Sequence, residues 1–173
     1  MSTNWYPHFQ DNNEIKDVYI QAAGKKDAAS SGDLMANLFQ VNWNTNSRHA
    51  FIYWINGTIA TRNPPDRVRQ VVQLEQANNA GYFYQPFPIA KPMGQGTASQ
   101  NDQYYLGKLT RQQRDRVLFL AQRVPFNPHS RTNGCRVWLR DLLQLMVIEG
   151  IIAQQVFDHV CRDIPLPERK PEA

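Results

Sequence analysis

Cysteine is scarce in this chain, with only Cys135 and Cys161 among 173 residues. That excludes a disulfide framework of the kind that staples small secreted domains. Neither cysteine belongs to a CxxC or HxxxH set, so the spacing for structural zinc is missing. Long apolar runs are missing as well, and no window approaches the ~18 residues needed to span a bilayer. The first twenty residues, MSTNWYPHFQDNNEIKDVYI, have no basic segment followed by an apolar one, so no secretory signal is read there. Charge of one sign is nowhere concentrated. Nineteen basic and fifteen acidic side chains leave a net charge of +4, without a run of five or six like charges, so no basic arm for nucleic acid is indicated. The Gly-Gln-Gly at 94–96 is too short for a phosphate loop. The expectation is a cytoplasmic protein with no membrane span, metal or cofactor; its oligomeric state is open.

What is present is enough for a core. Hydrophobic residues make up 42% of the chain and aromatics 11%, which predicts a single folded domain over residues 1–173. Residues 1–12 read as an N-terminal extension and 165–173, PLPERKPEA, as a flexible tail. The first half is rich in β signals. EIKDVYIQAAG reads as a strand or short helix, and SSGDLMANLFQVNW as a turn leading into a strand near 34–43. In HAFIYWINGTIATRNPPD two β-prone runs flank Asn56-Gly57, which predicts a hairpin turning there. RVRQVVQLEQ is expected to be a third strand, with a helix as the alternative. The segment 91–103, KPMGQGTASQNDQ, lacks periodicity and reads as a flexible loop and candidate lid.

The second half is helical. Thr110 and Gln113 have capping-box spacing ahead of an apolar face of Val117, Leu118, Leu120, Ala121 and Val124, and Pro125 stops that helix. A second helix opens near Cys135 and is stopped by Gly150; a third lies near 153–162. Strands first and helices later predict an α+β fold.

The segment RTNGCRVWLRDLLQLMVIEG, residues 131–150, carries the chemical question. Asn133-Gly134 turns the chain just before the helix, which puts Cys135 in its first turn. Unpaired N–H groups and the positive end of the macrodipole favour an anion there, and a thiolate is one. Arg131 and Arg136 add positive potential. An inert cysteine packed as a small apolar residue is the competing reading.

A nucleophilic thiol needs a base, normally histidine. His8 lies in the polar N-terminal stretch, His129 in the loop six residues before Cys135, and His159 beside Asp158 on the last helix. His49 opens the strand HAFIYWI and shares a face with Phe51, Tyr53 and Ile55, a position from which a side chain can project into a cleft at a sheet rim.

A histidine at a strand start followed by NGC at a helix start resembles the circularly permuted papain-like proteins. These include the NlpC/P60-related, LRAT-like and PPPDE groups, in which His precedes Cys. Their Cys stretch has the form N-C-x-x-[FW]; NGCRVW is similar, with Gly134 inserted. The pattern GCRxW with the following leucines also resembles small uncharacterised fungal proteins. The resemblance covers about 33–152 and rests on the His49 and Cys135 neighbourhoods. It implies an antiparallel sheet whose first hairpin carries the base, packed on a helix carrying the nucleophile. It further implies cleavage or transfer of acyl groups at amide, thioester or ester carbonyls. On it, Cys135 is the nucleophile, His49 the base and Asn63 the residue orienting the imidazole, with Gln73 in reserve.

Trp43, Tyr53, Trp54 and Arg136 are candidates for binding a small-molecule or peptide substrate. Two other functions compete with a cysteine hydrolase or acyltransferase: a non-catalytic binding module on the same fold, and a nucleic-acid-binding protein using the Arg residues of 67–72 and 111–123. The latter is disfavoured, since arginines on a helix more simply make a solvated face.

Overall fold

The computed structural model describes residues 4–24, 49–61, 63–77, 81–94 and 96–172. Seven strands and four helices follow one another among them. They are β1 (Lys16–Ala22), β2 (Ala50–Ile59), β3 (Asp66–Val72), β4 (Glu75–Ala77), β5 (Gly81–Phe83), β6 (Ile89–Met93), α1 (Thr97–Gln100), β7 (Asp102–Leu109), α2 (Arg111–Arg123), α3 (Cys135–Ile148) and α4 (Gln154–Asp163). Five strands form an antiparallel sheet in the order β6-β3-β2-β1-β7, and β4 pairs with β5 in a small ribbon. The fold is α+β, as expected. The predicted strand at 34–43, with Trp43, lies outside the described residues.

Alternation explains the sheet. On β1, Val18, Ile20 and Ala22 face the same core as Ala50, Ile52 and Trp54 of β2. That core is closed by Leu120 of α2, by Trp138, Leu142 and Met146 of α3, and by Phe157 and Val160 of α4. The alternate residues Phe51 and Tyr53 form a second cluster with Val71, Ile89 and Met93. Strand β2 is central and buried on both faces, so its sequence is apolar at every position from 50 to 55.

The structure corrects the hairpin. Asn56-Gly57 is not a turn; β2 runs straight through it, and the register slips by one residue between Ile55 and Gly57. Asn56 is the extra residue of a bulge. Its side chain donates to Phe9 O and Gln70 Oε1 and accepts from Lys16 Nζ. Gly57 is needed for close approach: a Cβ there would lie 2.7 Å from Cδ1 of Phe9. The chain reverses later, between Ile59 and Asp66, and β3 returns as the strand expected from RVRQVVQLEQ.

The loop at 91–103 is also corrected. Lys91 to Met93 finish β6, Thr97–Gln100 is a helical turn, and Asp102 and Gln103 begin β7. Both β6 and β7 are edges of the sheet, where polar residues and Pro92 are tolerated without apolar alternation. The helices match expectation. Thr110 and Gln113 form the reciprocal capping box of α2, and α3 ends before Gly150.

At the N-terminal side, Trp5, Tyr6 and Phe9 pack on Ile59, Val68 and Ala90. Asp11 is buried, bonded through both oxygens to Arg114 and through Oδ1 to Lys16. At the other end, Arg136 and Arg140 bond the carbonyls of Pro165 and Leu166, and Arg169 reaches Asp141. No helix among the described residues is long and apolar enough to cross a membrane.

Candidate active site

Helix α3 begins where a tied loop delivers it. Ser130 Oγ accepts from the N–H groups of Thr132 and Asn133. The buried Asn133 side chain does not cap the helix; its amide pairs with the backbone of Lys170 in both directions. Gly134 is the N-cap, in extended backbone. The reason for glycine there is steric, since a Cβ at 134 would lie 2.7 Å from Oη and 3.2 Å from Cζ of Tyr82.

Cys135 is therefore the first helical residue, half-buried against the core. Burial pushes its thiol above the ordinary value, while the charge of Arg136 and the N–H groups of Cys135 and Arg136 pull the other way without prevailing. This corrects the expectation that the helix terminus would leave a preformed thiolate. The resting group is a thiol, and it needs a base.

His49 supplies one within reach. It stands immediately before β2, anchored through its carbonyl to Ala23 N, with its ring 5.7 Å from that of Phe51. Its Nδ1 lies 3.7 Å from Cys135 Sγ, although 86 residues separate the two in sequence. On the other side, Nε2 lies 3.1 Å from Oε1 of Gln73. Gln73 Nε2 donates to Glu75 Oε1 at 2.7 Å, and Lys91 Nζ donates to the same oxygen at 3.0 Å.

This chain of contacts fixes a proton. Burial raises the Glu75 carboxyl, but hydrogen bonds from Gln73 and Lys91, with the charge of Lys91, outweigh it and hold the group below its ordinary range. The ionised carboxylate only accepts, so the NH₂ of Gln73 must face it and the amide oxygen must face His49. That oxygen also only accepts. Nε2 of His49 therefore carries the proton, leaving the lone pair of Nδ1 for the Cys135 thiol.

The other expected residues are placed differently. Asn63 is exposed in the connection between β2 and β3, at the opposite end of β2 from His49; Gln73, the reserve, meets the imidazole instead. The cause is the displaced turn, because only a return through 60–65 carries residue 73 back alongside His49. Trp54 is fully buried on the core face, with Arg114 6.0 Å from its ring, so it is no groove residue. Tyr53 is buried on the second face and donates to Gln103. Arg136 holds the carbonyl of Pro165 and sets charge beside the sulfur. His8 and His129 are exposed; exposed His159 meets Arg162 and Tyr104.

Three contributors escaped the sequence reading: Glu75, Lys91 and Tyr82. The phenol of Tyr82 is pushed up chiefly by burial, and further once Cys135 is ionised, against Arg136. No short-range pattern marks them, since each belongs to an edge strand or the small ribbon. A surface depression lined by Pro65, Arg67, Met93 and Ser99 lies at the far end of β3 from Gln73, away from this chemistry. Among the described residues no group of three His, Cys, Asp or Glu is placed to hold a metal ion. Comparison of the chain with known protein families, curated proteins and solved structures finds no match.

Proposed function

We propose that the protein is a cysteine-dependent hydrolase or acyltransferase in which Cys135, His49 and Gln73 act as nucleophile, base and orienting residue. One observation carries this: His49 is bonded through one ring nitrogen to an amide oxygen and presents the other to a half-buried thiol. Nδ1 takes the thiol proton as sulfur attacks the substrate carbonyl carbon, and the carbonyl electron pair moves to oxygen. N–H groups of the first turn of α3 face that developing oxyanion. The intermediate collapses, the C–N, C–O or C–S bond to the leaving group breaks, and the leaving group takes the proton from Nδ1. Water or another acceptor, deprotonated by Nδ1, then releases the acyl group and regenerates the thiol.

The layout favours the permuted papain-like arrangement: the base precedes the nucleophile in the chain, at a strand start and a helix start respectively. A chromogenic acetate ester tests the chemistry. Mass spectrometry after quenching is expected to find acetyl on Cys135, greatly reduced in His49→Ala and absent in Cys135→Ser. No acetyl on Cys135 in the native protein would sink the proposal. It would favour the second reading, a non-catalytic binding module, which the upward push of burial on the thiol supports.

A further inference from the structure

The helices pack on one face of the sheet; His49 stands at the rim just before β2, reaching Cys135 of α3 on one side and the ring of Phe51, on the second face, on the other. That second face carries, in register, Phe51 and Tyr53 of β2, Arg69 of β3, Gln21 of β1 and Gln103 of β7. The Arg69 guanidinium lies over two rings, with Cζ 4.9 Å from the centre of Phe51 and 5.4 Å from that of Tyr53. Its Nη1 donates to the amide oxygen of Gln21. Its Nε is buried with no partner among the described residues. The amide oxygen of Gln103 accepts from the Tyr53 hydroxyl at 2.7 Å, and its Nε2 is likewise buried with no partner among the described residues. No carboxylate of the described residues pairs with Arg69. Burial pulls the guanidinium below its ordinary value, opposed by the charge of Tyr53.

A half-buried cation that meets no carboxylate among the described residues and leaves its Nε unbonded, beside a second buried donor also left unbonded, carries an unmet cost. It is the arrangement of a site awaiting an acceptor. We infer that Arg69 and Gln103 form an anion-binding subsite beside the Cys135–His49 pair, which receives a carboxylate of the acyl substrate. The inference rests on the cysteine chemistry proposed above. A guanidinium edge offers two parallel N–H groups, which match a carboxylate, and Gln103 adds a donor from the neighbouring side. The ring of Phe51 stands between Arg69 and His49, 4.9 Å from the guanidinium and 5.7 Å from the imidazole. The substrate class is therefore an acidic peptide or small acidic amide or ester, its carboxylate several bonds from the carbonyl attacked.

The test compares two iodoacetamides, one with a carboxypentyl arm and one with the uncharged carbamoylpentyl arm, and reads the rate at which each alkylates Cys135. Thiolate displaces iodide in both, so only the arm differs. The carboxylate arm is expected to react about tenfold faster in the native protein, the scale of one charge-assisted pair. Arg69→Gln should erase the preference while leaving plain iodoacetamide within about twofold of its native rate. Gln103→Glu keeps Arg69 and supplies an internal carboxylate, so it should erase the preference too. Equal rates for the two arms in the native protein, or a preference surviving both variants, would overturn the subsite. Failure of plain iodoacetamide to label native Cys135 would instead count against the cysteine chemistry. The subsite is then read by calorimetry with hexanoate: heat lost in Arg69→Gln supports it, and no binding to the native protein overturns it.

Discussion

Replacing Gly134 by alanine pits two effects of opposite sign against each other. Gly134 has extended backbone, φ −86° and ψ −163°, that any residue adopts. With free space, alanine would therefore stabilise by about 0.4–1 kcal/mol through the unfolded chain. Space is not free, because the new Cβ would sit 2.7 Å from Tyr82 Oη. Tyr82 Oη moves only with its ring, which packs against the core and whose Cζ would itself lie 3.2 Å from the new Cβ. Overpacking of this kind costs about 1–3 kcal/mol, so the clash wins. Gly134→Ala should destabilise by about 1–2 kcal/mol, a fall of roughly 2–8 °C in Tm for a chain of this size. Tyr82→Phe removes Oη and leaves ring carbon Cζ at 3.2 Å, a contact that a few tenths of an ångström relieve. In that background alanine at 134 should be neutral within about 0.5 kcal/mol. Urea denaturation of the four proteins completes the double-mutant cycle. A Gly134→Ala protein as stable as the native one, or no rescue by Tyr82→Phe, would refute the steric reason for this glycine.

The remaining predictions concern the supports of the fold and of the site. Arg114 is fully buried and donates five hydrogen bonds, to both Asp11 oxygens and the carbonyls of Leu109, Asn12 and Glu14; Arg114→Met should cost about 3–5 kcal/mol by urea denaturation. Burial raises the Asp11 carboxyl, but Arg114 and Lys16 outweigh it and hold the group below its ordinary 3.8. Its contribution should thus be full above about pH 4 and be lost as pH falls through the folded value, an acid limb that Asp11→Asn should lack in Tm measured against pH. Gln73→Ala should slow alkylation of Cys135 at neutral pH by about tenfold, the scale of one lost orienting hydrogen bond. An unchanged rate would remove Gln73 from the site.

The fold class was legible because apolar periodicity survives in the strands and helices that meet the core. The capping box at Thr110, the stops at Pro125 and Gly150, and the NGC helix start all depend on neighbours within a few residues. Cys135 and His49 could be paired because each sits at the start of an element that its own sequence announces. Asn56-Gly57 misled because its glycine answers to Phe9, 48 positions away, rather than to a turn. That single displacement hid Gln73, since cross-strand neighbours follow from where the chain reverses. Trp54 and Tyr53 could not be told apart by type: alternation puts one in the helix-facing core and the other beside Arg69. Glu75 and Lys91 meet only through the fold, in segments too polar for periodicity to mark.

The Cys135–His49 pair itself is most directly tested by the rate of Cys135 alkylation against pH, from about pH 5 to 10, in the native protein, His49→Ala and His129→Ala. Burial holds the thiol above its ordinary value, so labelling at neutral pH depends on a base that takes its proton. The native protein and His129→Ala should label readily near pH 7. His49→Ala should lose that neutral limb by at least about tenfold and recover only as the thiol itself ionises. Neutral-pH labelling that survives His49→Ala, or that is lost in His129→Ala instead, would contradict a catalytic pair of Cys135 and His49.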